Sequence, residues 1–184
     1  MKRSYIFLAT GFEEIEALAT ADVLRRSGME VTLVSVSKDR MVTGANGITA
    51  VADVVMAGVD FSDADWLICP GGMPGAEHLH NNATLNELLK THAAKGGRIA
   101  AICAAPAVVL AQAGLLEGRK ATCYPGFEPL LRQGGATPQQ ARVVEDGNII
   151  TANGPSSAIP FALAIAAATV GKEQAAAIAA GLLC

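Results

Sequence analysis

Aromatic residues make up only 4% of this 184-residue chain, so its core must be filled mainly by Ala, Val, Ile and Leu. Charge is also sparse, with 17% charged residues, a net charge of −3 and no basic stripe interleaved with aromatics. That balance leaves nucleic-acid binding without support. The longest apolar run, 159–170, is too short to cross a bilayer, so no membrane partner is expected.

The cysteines lack any paired spacing. There is no CxxC motif among Cys69, Cys103, Cys123 and Cys184. This argues against a disulfide framework and against a metal site. The acidic cluster Glu13, Glu14 and Glu16 directly follows the first apolar run, which argues against an export signal. We therefore expect a cytoplasmic protein with no bound metal, in which a free cysteine is either a core residue or a reactive one.

Short apolar runs alternate with stretches that favour helix. Strands are predicted at 4–9, 30–36, 65–69 and 98–102, with a hairpin around Asp146-Gly147. Helices are predicted from a capping box at Thr10–Glu13 to Arg26, and at 82–95, 104–113, 155–170 and 172–183. Segment 38–57 is predicted as a hairpin followed by another strand. The alternation predicts one α/β domain over residues 1–184, with a mostly parallel sheet covered on both faces.

Three loops qualify for the carboxyl edge of that sheet, where sites form in doubly wound folds. The first carries the glutamate cluster, the second is 69–72 and the third is 102–106. Cys103 lies where an apolar strand meets a helix start, and its small neighbours allow the tight turn of a nucleophile elbow. The first loop has no GxGxxG fingerprint, so a dinucleotide cofactor is not expected.

Two effects are expected to make the Cys103 thiol acidic. A helix N-terminus stabilises an anion, and a protonated carboxyl of the first loop can donate to sulfur, so we predict a Cys–Glu pair that shares a proton. The amides of Gly72 and Ala104 are candidate oxyanion donors. The competing interpretations are that Cys103 is a buried core thiol, that Glu13 only caps its helix, and that Cys123 is a resolving thiol for Cys103.

The chain resembles the ThiJ/PfpI superfamily, in the branch of the Parkinsonism-associated protein DJ-1. The matching segments, in order, are GFEEIE at 11–16, CPGG at 69–72, AAICAAP at 100–106, NGP at 153–155 and FALAI at 161–165. The resemblance implies a three-layer α/β/α sandwich that is flavodoxin-like and class I glutamine amidotransferase-like, and a homodimer. It implies that Cys103 is the oxidisable nucleophile, that Glu16 hydrogen-bonds the sulfur, and that Gly72 and Ala104 donate to an oxyanion.

The sequence departs from the family pattern at two positions. Tyr124 stands where many relatives carry a His before a Pro, which removes a Cys–His hydrolytic dyad. Asn46 stands where some relatives place an Arg that reaches the partner subunit's site. Tyr124, Cys123 and Asn46 are therefore auxiliary candidates.

The resemblance leaves three functions open. The first is a cofactor-free glyoxalase or deglycase that acts on small α-oxoaldehydes or their protein adducts through Cys103. The second is an oxidative-stress sensor or chaperone that works through oxidation of Cys103. The third is a hydrolase or amidotransferase-like domain, which Tyr124 disfavours.

Overall fold

A central seven-stranded sheet organises the molecule, which a computed structural model describes over residues 3–184. The first half of the described chain contains β1 (Arg3–Leu8), α1 (Glu14–Arg26), β2 (Glu30–Ser35), β3 (Met41–Thr43), β4 (Thr49–Val51), β5 (Val54–Val55), β6 (Ala64–Cys69), α2 (Gly75–His80) and α3 (Ala83–Ala94). The second half contains β7 (Arg98–Ile102), a π-helix (Pro106–Ala111), β8 (Lys120–Ala121), α4 (Glu128–Gln133), β9 (Thr137–Pro138), β10 (Val143–Asp146), β11 (Ile149–Ala152), a 3₁₀ turn (Pro155–Ser157), α5 (Ala158–Val170) and α6 (Lys172–Gly181).

The sheet has the strand order β10-β11-β7-β6-β1-β2-β5. All neighbours are parallel except β10, which pairs antiparallel with β11 through the hairpin predicted at Asp146-Gly147. Strand order reverses at β1, so the loops after β1, β6 and β7 meet at one edge. That edge is where a doubly wound fold forms its site.

Alternate side chains along the strands point to opposite faces of the sheet and pack into two separate hydrophobic cores. Tyr5 and Phe7 of β1 face the layer of α2, α3, α4 and the π-helix, whereas Ile6 and Leu8 face the layer of α1, α5 and α6. Alanines such as Ala17 of α1 make the close helix packing possible, which offsets the shortage of aromatics. The predicted three-layer α/β/α architecture with a mostly parallel sheet is confirmed.

The predicted capping box at the start of α1 is wrong. The helix begins at Glu14, and Glu13 at its N-cap makes no side-chain cap. The Glu13 N–H, which the Thr10 side chain would satisfy in a capping box, instead donates to Gly71 O at 2.9 Å, and the Gly11 N–H donates to Thr43 O at 2.8 Å. The bond from Glu13 to Gly71 holds the first loop against the loop at 69–72. Glu16 then lies in the first turn of α1.

The segment after β7 also differs from prediction. The helix predicted at 104–113 is a π-helix over Pro106–Ala111, a rare form that is common at functional sites. Helices α2 and α4 were not predicted, because each has six residues and a Gly- or Pro-rich start. No helix within residues 3–184 has both the length and the apolar character that a bilayer crossing requires.

Candidate active site

Cys103 occupies a strained turn directly after β7. Its backbone lies in the left-handed region with φ of 66°, which is rare for a residue with a side chain and is typical of functional sites. Two hydrogen bonds hold the turn: Cys103 N donates to Ala152 O at 2.9 Å, and Tyr124 N donates to Cys103 O at 2.8 Å. Cys103 as a whole is 8% exposed, so the turn leaves this residue almost buried.

Glu16 lies against this sulfur as a fully buried carboxyl. Its Oε2 accepts a hydrogen bond from Gly71 N at 2.8 Å, and its Oε1 is buried with no partner in the described part of the chain. Burial raises the pKa of Glu16 to about 7, whereas the hydrogen bonds from Gly71 and Cys103 act in the opposite direction. A carboxyl of this pKa holds or yields a proton near neutrality.

The amides of Gly72 and Ala104 donate toward the Cys103 sulfur and lower the pKa of its thiol. Burial and the neighbouring charge of Glu16 are stronger, and they raise that pKa to about 12. The acidic thiol predicted from the sequence therefore requires a protonated Glu16, because a second negative charge beside a buried carboxylate is costly. The pair accommodates one negative charge.

Gly71 was missed in the sequence analysis, although the PGG motif signalled it. A Cβ at this position would lie 2.6 Å from the Cβ of Cys103 and 2.9 Å from Oε2 of Glu16. Gly72 is equally constrained, since its φ is 86° and a Cβ would lie 2.3 Å from Glu13 N. Both glycines are needed so that the second loop can approach the other two.

The remaining glutamates of the first loop serve the β3–β4 hairpin. Glu14 is buried, and its Oε1 accepts hydrogen bonds from Asn46 N at 2.8 Å and Ile48 N at 3.2 Å. The Asn46 side chain donates to Glu14 Oε2 at 3.0 Å and to Glu13 at 3.3 Å. Asn46 therefore fixes the hairpin to α1. The hydrogen bonds of Asn46 within the chain go to Glu13 and Glu14 and not to the Cys103 sulfur.

Tyr124 contacts the site through its backbone. Its ring is 45% exposed and lies against Gly154, where an added Cβ would be 3.2 Å from Cδ2 of the ring. Cys123 is free, and its side chain packs in the core on the opposite face of the sheet from Cys103. The resolving role considered for Cys123 stays a prediction. Burial raises the pKa of the Cys123 thiol to about 12.

Known proteins resemble this chain over most of its length. The model of the DJ-1/PfpI family matches residues 2–168. The chain belongs to the DJ-1/PfpI family. The solved structure of oxidized DJ-1 from Toxoplasma gondii superposes with a TM-score of 0.95 and 43% identity, covering 100% of this chain and 98% of that one.

Two curated relatives from this family extend the comparison. Protein DJ-1 homolog A of Arabidopsis thaliana is 41% identical over 95% of this chain and 44% of its own length. The chain thus spans less than half of that relative. The glutathione-independent glyoxalase DJR-1.2 of Caenorhabditis elegans is 38% identical over 88% of this chain and 85% of its own length.

Proposed function

We propose that this chain is a cysteine-dependent, cofactor-free enzyme of glyoxalase or deglycase type, acting on small α-oxoaldehydes or their protein adducts. The observation that carries the proposal is the strained Cys103 turn, where one carboxyl and two backbone amides converge on a sulfur. The family relative named as a glutathione-independent glyoxalase supports the same reaction class.

The single negative charge of the pair can reside on the Glu16 carboxyl or on the Cys103 sulfur. A free thiol and a free carboxyl differ by about 4 pK units, or about 6 kcal/mol in favour of the carboxylate. Burial moves the pKa of Glu16 from 4.5 to about 7, which recovers about 3 kcal/mol. In the thiolate form the sulfur faces three donors, which are the Gly72 amide, the Ala104 amide and the O–H of protonated Glu16. This is one strong donor more than in the carboxylate form, and it stabilises the thiolate by about 1.5–3 kcal/mol. Burial also raises the pKa of the Cys103 thiol and offsets part of this gain, so the thiolate is the minor form of the pair and is drawn on by the reaction.

The reaction then follows from this charge distribution. The thiolate attacks the aldehyde carbon to form a C–S bond, and the charge moves to the carbonyl oxygen beside the Gly72 and Ala104 amides. Glu16 gives its proton to that oxygen and, as a carboxylate, removes the C–H proton to form an enediol. Protonation at the neighbouring carbon yields a thioester, and water releases a 2-hydroxycarboxylate and the thiol. The aldehyde carbon is oxidised while the adjacent ketone carbon is reduced, so no external oxidant is needed.

The direct test is D-lactate formation from methylglyoxal in the absence of glutathione. Cys103→Ala is expected to lose activity by at least about a hundredfold, because the nucleophile is removed. Cys123→Ala is the matched control, since it removes another buried free thiol that packs on the other face of the sheet. An equal rate for Cys103→Ala and the unmodified protein would disprove the proposal.

The second candidate function is oxidative sensing at the same sulfur. The amides and the Glu16 hydroxyl that support a thiolate also suit the oxygens of a sulfinate, and the Toxoplasma relative was solved in an oxidized form. Mild peroxide followed by mass spectrometry is the test, with the exposed Cys184 as internal reference. Oxidation of Cys184 with Cys103 unmodified excludes sensing at this site.

We further propose a homodimer in the cytoplasm. Large apolar side chains are exposed on α1 (Ile15, 56%) and on the hairpin that Glu14 ties to it (Ile48, 58%; Val51, 59%), which forms a patch suited to a second copy of the chain. All four cysteines are free, as in a reducing compartment. Sedimentation of Ile48→Glu tests the dimer: a shift to monomer is expected, and unchanged mass excludes this patch.

A further inference from the structure

A cavity lies beside the Cys103 turn, and the chemistry above does not use it. Its volume is about 780 Å³, within the range of small-molecule sites. It is open to solvent on one side and is bordered by the stretch from Thr122 to Pro129, by α4, by residues 138–142 and by Asn153; Cys103 is not part of its wall. The cavity is therefore a separate compartment.

The wall of this cavity carries two arginines without acidic partners. Arg132 and Arg142 both line it, and neither takes part in a salt bridge within residues 3–184. Arg142 is held in place because its Nε donates to Ser157 Oγ at 3.2 Å and it also bonds the carbonyl of Ser156. The carboxylate of Glu128 also lines the cavity, but its Oε2 accepts from Gly126 N at 2.7 Å. A net positive charge remains to attract an anion.

The rest of the wall combines proline rings with polar side chains such as Gln139 and Gln140, and its segments are joined by hydrogen bonds. Pro125, Pro129 and Pro138 line the cavity together with the thiol of Cys123. The surrounding segments are joined by hydrogen bonds, from Thr122 Oγ1 to Ala141 O at 2.9 Å and from Asn153 N to Arg142 O at 3.1 Å. A preformed cavity loses little entropy when it is occupied, and this combination of rings and cations suits an amphipathic anion.

We propose that this cavity is a binding site for a small organic carboxylate, whose anionic group pairs with Arg132 and Arg142 and whose apolar body packs on the prolines. The ligand lies against backbone that also holds the nucleophile turn, because Asn153 follows Ala152 and Cys123 precedes Tyr124. The site is independent of the chemistry proposed for Cys103.

The test is calorimetric titration with 3-phenylpropionate in a buffer free of carboxylates. Arg132→Gln is expected to weaken binding by about tenfold or more, because a charge-assisted pair is lost. Arg132 makes no side-chain hydrogen bond to the described residues, so this variant keeps the fold; its thermal midpoint checks that. Lys172→Gln is the matched control, since it removes the same charge from an exposed position outside the cavity.

Three further measurements decide the assignment. The neutral amide 3-phenylpropionamide is expected to bind at least tenfold more weakly, and Cys103→Ala is expected to bind the carboxylate as the unmodified protein does. Loss of binding in Cys103→Ala with full binding in Arg132→Gln would locate the ligand at the sulfur and overturn the proposal. Equal weakening by Lys172→Gln, or binding of inorganic phosphate as tight as that of the carboxylate, would also overturn it.

Discussion

Replacing Gly71 by alanine tests the close approach of the three loops with a single methyl group. The new Cβ would lie 2.6 Å from the Cβ of Cys103 and 2.9 Å from Oε2 of Glu16. Ordinary carbon contacts are about 3.5–4.0 Å, so the neighbours must move by about 1 Å. The backbone of Gly71 is not in the left-handed region, so the effect is steric. A misplacement of about 1 Å costs about a hundredfold in rate, and overpacking costs about 1–3 kcal/mol of stability.

The assay compares methylglyoxal turnover and iodoacetamide alkylation of Cys103 in the two proteins. We expect both rates to fall about a hundredfold in Gly71→Ala. Gly181→Ala is the matched control, because a Cβ at that helical position meets nothing within 4 Å. A folded Gly71→Ala protein that is alkylated and turns over at the unmodified rates would refute the described geometry.

The remaining predictions concern the two buried glutamates. The pKa of Glu16 is raised from 4.5 to about 7 in the folded state. Between these pH values the native protein keeps a proton on Glu16 that the unfolded chain has lost. The free energy of unfolding should therefore fall by about 3 kcal/mol as pH rises from 4.5 to above 7. Urea titrations at pH 5 and pH 8 should show this fall in the free energy of unfolding, and the fall should be smaller in Glu16→Gln. An identical fall in both proteins would assign the pH dependence to other groups. Glu14→Ala should lose about 2–4 kcal/mol, because three hydrogen bonds to the hairpin disappear. A urea midpoint that does not move would show that the hairpin is held by other contacts.

The sheet was predictable because each central strand is a short apolar run that ends at a turn signal. Strands β1, β6 and β7 are buried on both faces, and such strands read as continuous apolar segments. Helix starts were harder to predict. The Thr10–Glu13 pattern fits a capping box, yet its amides bond to Thr43 and Gly71, and contacts across more than 30 residues leave no local signal.

The site was predictable in its residue types but not in its electrostatics. Cys103 and Glu16 stand together at the expected edge of the sheet, and family motifs indicated both. Sequence could not indicate that Glu16 is fully buried, nor that burial is the largest contribution to the raised pKa of the thiol. The cavity at Arg132 and Arg142 was also not predicted, because its walls come from segments separated along the chain.

The central claim is that Cys103 and Glu16 share one proton near neutral pH and that the charge can reside on sulfur. Because the two groups are neighbours and interact electrostatically, their protons leave in two steps that belong to the pair, near pH 7 and near pH 12. Ultraviolet thiolate absorbance, taken as the difference between the unmodified protein and Cys103→Ala, reports which group ionises first. We predict a partial rise in thiolate absorbance with a midpoint near pH 7, and the remaining rise toward pH 12. Absorbance that stays flat through neutrality and rises only toward pH 12 would contradict it.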